Sequence, residues 1–579
     1  MVSETTLYAM KITLISPPAL AQHDECFLMP PLSLPTLARC LRLAGHQVKM
    51  LDYNIFFHRF ASTASYSQTP FSVLADADRT LEYINENKDA AIFTEIEKAL
   101  FDWQKPEKSE LFAISLMFLD MYSNSSGLRN NNLFIINAAA LIANRIKKLF
   151  ASPVVIGSEE LPKPACHQIL SRYSCFDFAI YAGGETAILR LTDRLAGKKV
   201  QLLNALEKKN KKILFHSENL SPESKGSADY KGYPLKMYEN PIGALFERYD
   251  PKLSLIKKNI ARANAETQLI VPYQFDNSCS AKCAFCPSGD LSFKSSNTVD
   301  QTFEDLCRLK ELGATGIYFI NTNFNNTYKF ADELCDKMIK ARLNLLWCDC
   351  ANFRELDEQL LLKMKKSGAV KLTFGFETGS RRLLRLIRKG ISTVMIEKHL
   401  RSSNAAGIWN AIELIAGLPS EVSSDVRETA VFLGKIASLV DSFALSPFHL
   451  FKQSPFGRKP SAFGIRLLGD DLRNVNYLTA GAMRYRTRKF NEANGLAWPE
   501  KKKQTCDSER YIRAALSRLG CLYDTPQHMH LLMSLYRAFG YSNKQLIRTL
   551  FNSATTQYKP YFSGTFMVRQ YVDVTGVKS

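Results

Sequence analysis

No apolar run in the 579 residues approaches the roughly 18 that a membrane span requires, and the longest candidate, Leu133 to Ala143, is interrupted by Asn137. Thirteen cysteines are too sparse for a disulfide scaffold and too odd in number to pair completely. The expectation is therefore a reducing, cytoplasmic setting with thiols free or bound to metal. An export signal is also missing. Ala19-Leu20-Ala21 looks like a cleavage site, but the run Ile12 to Ile15 stops at Pro17-Pro18, short of the roughly 7 to 15 apolar residues an export segment needs. Internal repeats and low-complexity tracts are absent as well. What is present is average for a globular chain, 46% apolar and 23% charged with 28 Gly and 23 Pro, which excludes wholesale disorder, collagen and coiled coil. The net charge of +19 attracts anions without naming one. The length allows roughly three to four domains.

From Lys11 to about residue 200, short β-like runs alternate with amphipathic helices, the pattern of a parallel sheet covered on both faces. The predicted strands are Lys11 to Ile15, Gln47 to Leu51, Phe112 to Leu116, Pro153 to Ile156 and Phe178 to Tyr181, with helices over Leu34 to Leu43 and Leu133 to Leu149. Small or turn residues follow the strands: Ser16-Pro17-Pro18, Asp52, Gly157-Ser158 and Gly183-Gly184-Glu185. Ligands of open α/β sheets bind at such ends, although tight turns need the same residues. Residues 201–262, with Lys208-Lys209-Asn210-Lys211-Lys212 and the stretch Ser221 to Gly232, read as a connector with a solvated lysine face.

A second alternating series starts at Gln268. Strands are predicted at Gln268 to Tyr273, Gly316 to Ile320, Asn344 to Cys348, Val370 to Phe376, Ala411 to Ala416 and Ser442 to Leu450, with helices closing at Gly313, Gly390 and Gly407. Six β/α units predict a partial barrel over 263–464, its chemistry at the carboxyl ends of the strands. Residues 465–579 read as mostly helical around Tyr511 to Leu519 and Met529 to Leu550, with Lys501-Lys502-Lys503 in a polar connector. The fold class is therefore α/β: a doubly wound Rossmann-like domain over 1–200, a partial (β/α)6 TIM-type barrel, and a helical C-terminal domain.

Directly after the first barrel strand stand Cys279, Cys283 and Cys286, spaced x3 then x2. At this cysteine frequency the spacing arises by chance with a probability of roughly 0.007. A structural zinc site would need a fourth ligand, and neither Cys307 nor His216 is local. Three thiolates suit a 4Fe-4S cluster with one open iron.

This triplet, placed after the first strand of a six-unit β/α series, resembles the radical SAM superfamily. Further similarity lies in Phe285, Ala351-Asn-Phe-Arg354, Gly375-Phe-Glu377-Thr-Gly-Ser380 and Glu413-Leu-Ile-Ala-Gly417-Leu-Pro419, together covering roughly residues 268 to 450. The resemblance implies that Cys279, Cys283 and Cys286 hold the cluster. Its open iron would bind S-adenosylmethionine, which is cleaved reductively to a 5′-deoxyadenosyl radical. Phe285 would lie near adenine, and Arg354, Glu377, Ser380, Glu413 and Gly417 would line the S-adenosylmethionine site. The ordinary alternatives are a structural Glu377–Arg354 ion pair and a turn at Gly417. Where many members carry Gly-Gly-Glu, this chain reads Asn321-Thr322-Asn323, whose amides would meet the substrate amino group.

The N-terminal half is similar to the cobalamin-binding domain that precedes the barrel in one branch of this family, through Pro30-Pro31-Leu-Ser-Leu34-Pro-Thr-Leu-Ala38, Ala44-Gly45-His46-Gln-Val48, Asp52, Val154 to Gly157 and Tyr181-Ala-Gly183-Gly184-Glu185. The resemblance implies cobalamin contacts at Ser16, Pro17, Ser115, Gly157, Ser158, Gly183, Gly184 and Glu185. None of the nine histidines is followed at the third position by Gly, so bound cobalamin would lack a protein His ligand; His46 reads as a helix-end residue. A vestigial domain without cofactor is the competing reading.

Together these features lead to the expectation of a cobalamin-dependent radical SAM enzyme, a C-methyltransferase acting on a small molecule or peptide and served by a low-potential donor such as flavodoxin or ferredoxin. The rivals are cyclisation or rearrangement without methyl transfer, RNA modification and a noncatalytic cobalamin or iron-sulfur sensor. Cys26, Cys40, Cys166 and Cys175 show no cluster spacing, and nucleic acid is not the expected partner. Cys348-Asp349-Cys350 reads as a pair of structural thiols. No residue is assigned a catalytic role.

Overall fold

The computed structural model describes residues 9–20, 29–60, 69–117, 131–210, 212–218, 228–242, 266–290, 297–469, 475–480, 482–524, 526–539 and 544. They divide into two compact units: one gathers the described residues up to Tyr238 with those of the stretch Leu472–Tyr485, the other the remainder. Cys26, most of 221–232, 243–262 and the end of the helix expected to reach Leu550 lie outside the described residues.

In the first unit, β1 (Lys11–Ser16), β2 (Gln47–Asp52), β3 (Leu111–Ser115), β4 (Val154–Ser158) and β5 (Phe178–Tyr181) form a parallel sheet in the order β2-β1-β3-β4-β5. Strands β1 and β3 are buried almost throughout, as strands covered on both faces must be. The hairpin β6 (Ala205–Lys209) and β7 (Lys212–Phe215) then extends the sheet antiparallel, inside the stretch read as connector. Its alternation was hidden by the lysines on its exposed positions. The helix Asn131–Phe150 is almost wholly buried, and Asn137 belongs there because its amide is satisfied: Nδ2 donates to the Leu74 and Asp76 carbonyls at 2.9 Å each and Oδ1 accepts from Tyr173 at 2.6 Å.

Asp52, at the end of β2, explains why the following stretch is ordered. One carboxylate oxygen accepts from the Asn54 and Ile55 amides at 3.0 and 3.1 Å. The other accepts from the Tyr233 and Tyr238 hydroxyls, so residues 228–238 are pinned over the sheet edge. Burial raises the Asp52 pKa despite these bonds. Asp52→Ala would remove the acceptor that the Tyr233 and Tyr238 hydroxyls share, at a cost of about 2–4 kcal/mol. Urea unfolding of the full chain measures this, and a change under about 0.5 kcal/mol would refute the account.

In the second unit, β8 (Ile270–Tyr273), β9 (Gly316–Phe319), β10 (Leu346–Ala351), β11 (Ala369–Glu377), β12 (Trp409–Ala416) and β13 (Ser442–Pro447) are parallel and in sequential order, an open (β/α)6 arrangement. The helices between them cover one face, where Phe374 stacks on Phe353 at 4.8 Å and Phe376 on Phe432 at 5.7 Å. A seventh parallel strand, β14 (Leu522–Tyr523), pairs with β13 from the region read as helical. Two short antiparallel pairs, Ile465–Leu467 with Phe490–Glu492 and Leu450–Phe451 with Thr487–Arg488, are likewise too brief to show a period of two. The helix Trp498–Arg518 begins before the expected Tyr511, so Lys501-Lys502-Lys503 occupies its first turns. Among the described residues no helix is long and apolar enough to cross a membrane.

Candidate functional site

The loop after β8 carries the three cysteines and has little regular structure, so its polar backbone must be satisfied by side chains. Asparagines from the loop after β9 do this. Asn321 Oδ1 accepts from the Phe275 and Asp276 amides at 3.0 Å, while its Nδ2 donates to Asp349 Oδ2 at 2.7 Å. Asn326 accepts from the Ser280 amide at 3.0 Å and donates to Asp276 and Ser278 at 2.8 Å. Asn325 continues the chain outward, accepting from the Asn352 amide at 2.8 Å and donating to the Asn352 carbonyl at 2.8 Å. Burial pushes the Asp349 carboxyl up to about 8. Asn321 is thus largely committed to holding the loop; Asn323 lies nearer the thiols, with Nδ2 3.8 Å from Cys279 Sγ. Asn325 and Asn326 escaped the sequence reading, although the Asn-rich hexapeptide Asn321 to Asn326 following a strand was the visible signal, and Asn352 was quoted there only within Ala351-Asn-Phe-Arg354.

Cys283 is buried and Cys279 and Cys286 are half-buried. Burial pushes the Cys283 thiol up to about 11, opposed by Lys389; Cys279 and Cys286 are close enough to raise it further. Yet among the described residues no three His, Cys, Asp or Glu side chains converge on a point that could hold one metal ion. A tetrahedral zinc site requires that convergence, with sulfurs about 2.3 Å from the metal. A cluster does not, because each thiolate takes a different iron. Three thiols can each take one iron of a cluster and leave the fourth iron open.

Glu377, in the left-handed region at φ +63°, pairs with Lys389 at 2.6 Å, and Lys389 lies 5.8 Å from the centre of the Phe285 ring. Burial opposes charge on Lys389, but Glu377 and Cys283 outweigh it and raise its pKa. The partner of Glu377 is therefore Lys389, which sequence reasoning missed, and not Arg354. Arg354 packs its side chain near Gly390, its backbone amide donating to Asn352 at 3.0 Å while its Nε has no partner among the described residues. Gly375 is needed because a Cβ there would lie 2.6 Å from Lys389 Nζ and 2.7 Å from Glu377 Oε1.

Two expected ligand residues are engaged otherwise. Ser380 is fully buried, donates to Asp425 at 2.7 Å and caps the helix Arg381–Leu386. Gly417, at φ +81°, is buried against the helix Trp498–Arg518: a Cβ would fall 2.1 Å from Thr505 Oγ1. Lys501 of the same helix donates to the Leu418 carbonyl at 2.7 Å and Gln504 to that of Glu421 at 2.7 Å, so this helix clamps the turn after β12. Glu413, by contrast, is exposed on the inner face of its strand.

In the first unit a cavity of about 220 Å3 opens at the carboxyl ends of β1, β3, β4 and β5. Ser115, Gly157, Ser158, Gly183, Gly184 and Glu185 line it, as do Ser33, Leu34 and Leu37 of the string Pro30 to Ala38, which was quoted for its resemblance without being named as contacts. Ser33 and Ser115 hydroxyls lie 3.1 Å apart, and the Gly184 amide donates to Glu185 at 3.1 Å. Ser16 and Pro17 are buried and are not among the lining residues. His46 accepts from the Met10 amide at 3.2 Å, as a helix-end residue would. A more open depression of about 530 Å3 beside the helix Arg381–Leu386 is lined by Arg381, Arg385 and Arg388.

Residues 273–433 match the family described as the radical SAM superfamily. Over 162 residues, 27% of this chain, the sequence is 26% identical to an uncharacterized methyltransferase of Pyrococcus horikoshii, of whose length that stretch spans 35%. Among solved structures the chain is similar to TsrM, a radical S-adenosylmethionine methyltransferase from Kitasatospora setae with cobalamin and a 4Fe-4S cluster bound: TM-score 0.56, 14% identity, 95% of this chain and 100% of that one. It is also similar to OxsB, a cobalamin-dependent S-adenosylmethionine radical enzyme with aqua-cobalamin and S-adenosylmethionine bound: TM-score 0.56, 14% identity, 98% and 80% covered. At such identity the likeness is one of fold.

Gly417→Ala is expected to cost about 2–4 kcal/mol, from positive φ and from overlap with Thr505. Adding Thr505→Ala should recover the overlap component, about half of the loss. Thermal unfolding of both variants measures this, and no recovery in the double variant would overturn the packing explanation.

Proposed function

We propose that this chain, which carries a radical SAM domain, is a cobalamin-dependent enzyme that methylates an unactivated carbon of a small molecule or peptide. The observation that carries the reading is the asparagine-braced loop, which sets the three thiols, Cys283 buried and Cys279 and Cys286 half-buried, beside the Glu377–Lys389 pair. When bound, the cluster, S-adenosylmethionine and cobalamin would supply one-electron reduction, hydrogen-atom abstraction and a transferable methyl group.

Cys279, Cys283 and Cys286 would hold the cluster, releasing protons as they bind because burial keeps Cys283 a thiol beforehand. Lys389, neutralised by Glu377, and the Phe285 ring would flank the zwitterionic S-adenosylmethionine. Arg354, with its unmatched Nε, would offer that ligand a donor. The helix Trp498–Arg518 would fix the turn at Gly417 as part of the wall. In the first unit the backbone of Gly157, Gly183 and Gly184, with the Ser115 and Ser158 hydroxyls, would cradle part of cobalamin. A reducing cytoplasm and a low-potential flavodoxin or ferredoxin would complete the system. Methylation is favoured over ring formation because two of the similar proteins are named as methyltransferases. A gain of one methylene unit in the product supports this choice, and an unchanged or hydrogen-depleted skeleton rejects it.

Replacing Cys279, Cys283 and Cys286 together by Ala should remove iron and sulfide and abolish 5′-deoxyadenosine formation under dithionite in anaerobically reconstituted protein. Zinc in place of iron, or undiminished 5′-deoxyadenosine, would falsify the reading. Ser115→Trp should fill the first-unit cavity and lower cobalamin bound by about tenfold or more while iron content is unchanged. Equal cobalt in the variant would assign the cofactor elsewhere.

A further inference from the structure

The inner face of the second unit's sheet shows a floor, a wall and a rim. At the amino ends of the strands, Lys371 pairs with Asp524 at 2.6 Å and Trp409 Nε1 donates to Ser442 at 2.9 Å, which plugs the lumen. At the carboxyl ends stand the Glu377–Lys389 pair and the cysteine loop. Between them the inward residues stay accessible: Tyr318, Cys350, Thr373 and Gly375 are half-buried and Glu413 is exposed, whereas their outward neighbours Phe319, Phe374, Ile412 and Leu414 are buried.

Register places Glu413 beside Gly375 on one side and Ala444 on the other. Neither side chain can bond it. Both lysines of the lumen are already matched, Lys371 by Asp524 and Lys389 by Glu377. Glu413 therefore keeps a carboxylate without a hydrogen bond or ion pair among the described residues, facing free space. Solvent reaches it from the open end, yet the surrounding wall and the Glu377 charge push its pKa up to about 7; Asp524 adds to this, while Lys389 and Lys371 oppose it. The nearby Cys350 thiol is raised by the same enclosure and by Glu413 itself, so it stays protonated and offers no cation.

We propose that Glu413 is the recognition group of the lumen for a substrate bearing a protonated amine. An uncompensated carboxylate costs stability, and a bound ammonium is the counter-charge that the floor and rim pairs leave missing. The inference rests on the lumen being the substrate chamber of the proposed enzyme.

The test is ligand-observed NMR on the reconstituted chain with benzylammonium, benzyl alcohol and benzoate as probes. Benzylammonium should bind, more tightly as pH rises through about 7, and Glu413→Gln should weaken it about tenfold or more while benzyl alcohol is unaffected. Equal benzylammonium affinity in the variant, a preference of the native chain for the alcohol or the benzoate, or no benzylammonium binding would each overturn the proposal. A second readout is stability. The folded chain retains a proton on Glu413 that the unfolded chain releases between about 4.5 and about 7, so its contribution to stability falls as pH rises through that window. Glu413→Gln should therefore melt higher than the native chain at pH 8, with the gap closing near pH 5, and no gap at pH 8 would mean that the carboxylate is compensated. Iron content and 5′-deoxyadenosine formation, measured in the same samples, separate failure of this proposal from failure of the enzyme reading.

Discussion

The second unit depends on one constraint: the cysteine-bearing loop after β8 has little regular structure, so its backbone needs partners from elsewhere. Asparagine is suited to this because its amide carries the donor and the acceptor of a peptide group on a short stem. Asn321, Asn325 and Asn326 use both ends at once, tying the loop after β8 to that after β9 and the loop after β9 to that after β10. At about 1 kcal/mol net per bond no single contact is decisive, but each buried end left open would cost more than it contributes when made. The network therefore behaves as a unit and fixes the backbone of the cysteine-bearing loop.

The same logic explains how charge is distributed on the inner face of the sheet. Close pairs at the floor and the rim leave each lysine with a carboxylate at 2.6 Å. Pairs of this kind lose hydration but recover it in mutual attraction, so they serve as structural plugs. Gly375 is the geometric condition for the rim pair, since any side chain would displace the Lys389 ammonium. The sheet thus reserves its accessible surface for a short band of wall.

Much of this was legible before the structure. The long apolar strands, the helices ending in glycine and the cysteine spacing are local signals, and the parallel sheets follow from their alternation. The illegible parts share a physical cause: they are settled by partners far away in sequence. Lys501 belongs by composition to a polar connector, but it is 1% exposed because the Leu418 carbonyl and Glu492 lie across from it. The hairpin Ala205–Lys209 and Lys212–Phe215 hides behind lysines because it adds to a sheet edge whose other face is solvent. Glu377 offered no sign of choosing Lys389 over Arg354, since both cations follow strands of the same unit and only the fold brings one of them to 2.6 Å.

Gly417 shows how far a resemblance can be carried. A glycine after the fifth strand of such a barrel suggests a ligand approaching the backbone, and that account requires open space where a Cβ would be. Here the space is occupied by the Thr505 side chain of a helix that also holds Leu418 and Glu421. The positive φ would require glycine even in an empty neighbourhood. Two structural requirements thus suffice for this residue, and a ligand can gain from it only indirectly, through the rigidity that the helix gives the turn. Glu413, four residues earlier, presents the reverse case: among the described residues no packing or pairing requirement accounts for a carboxylate there, and a bound ammonium is the partner proposed for it.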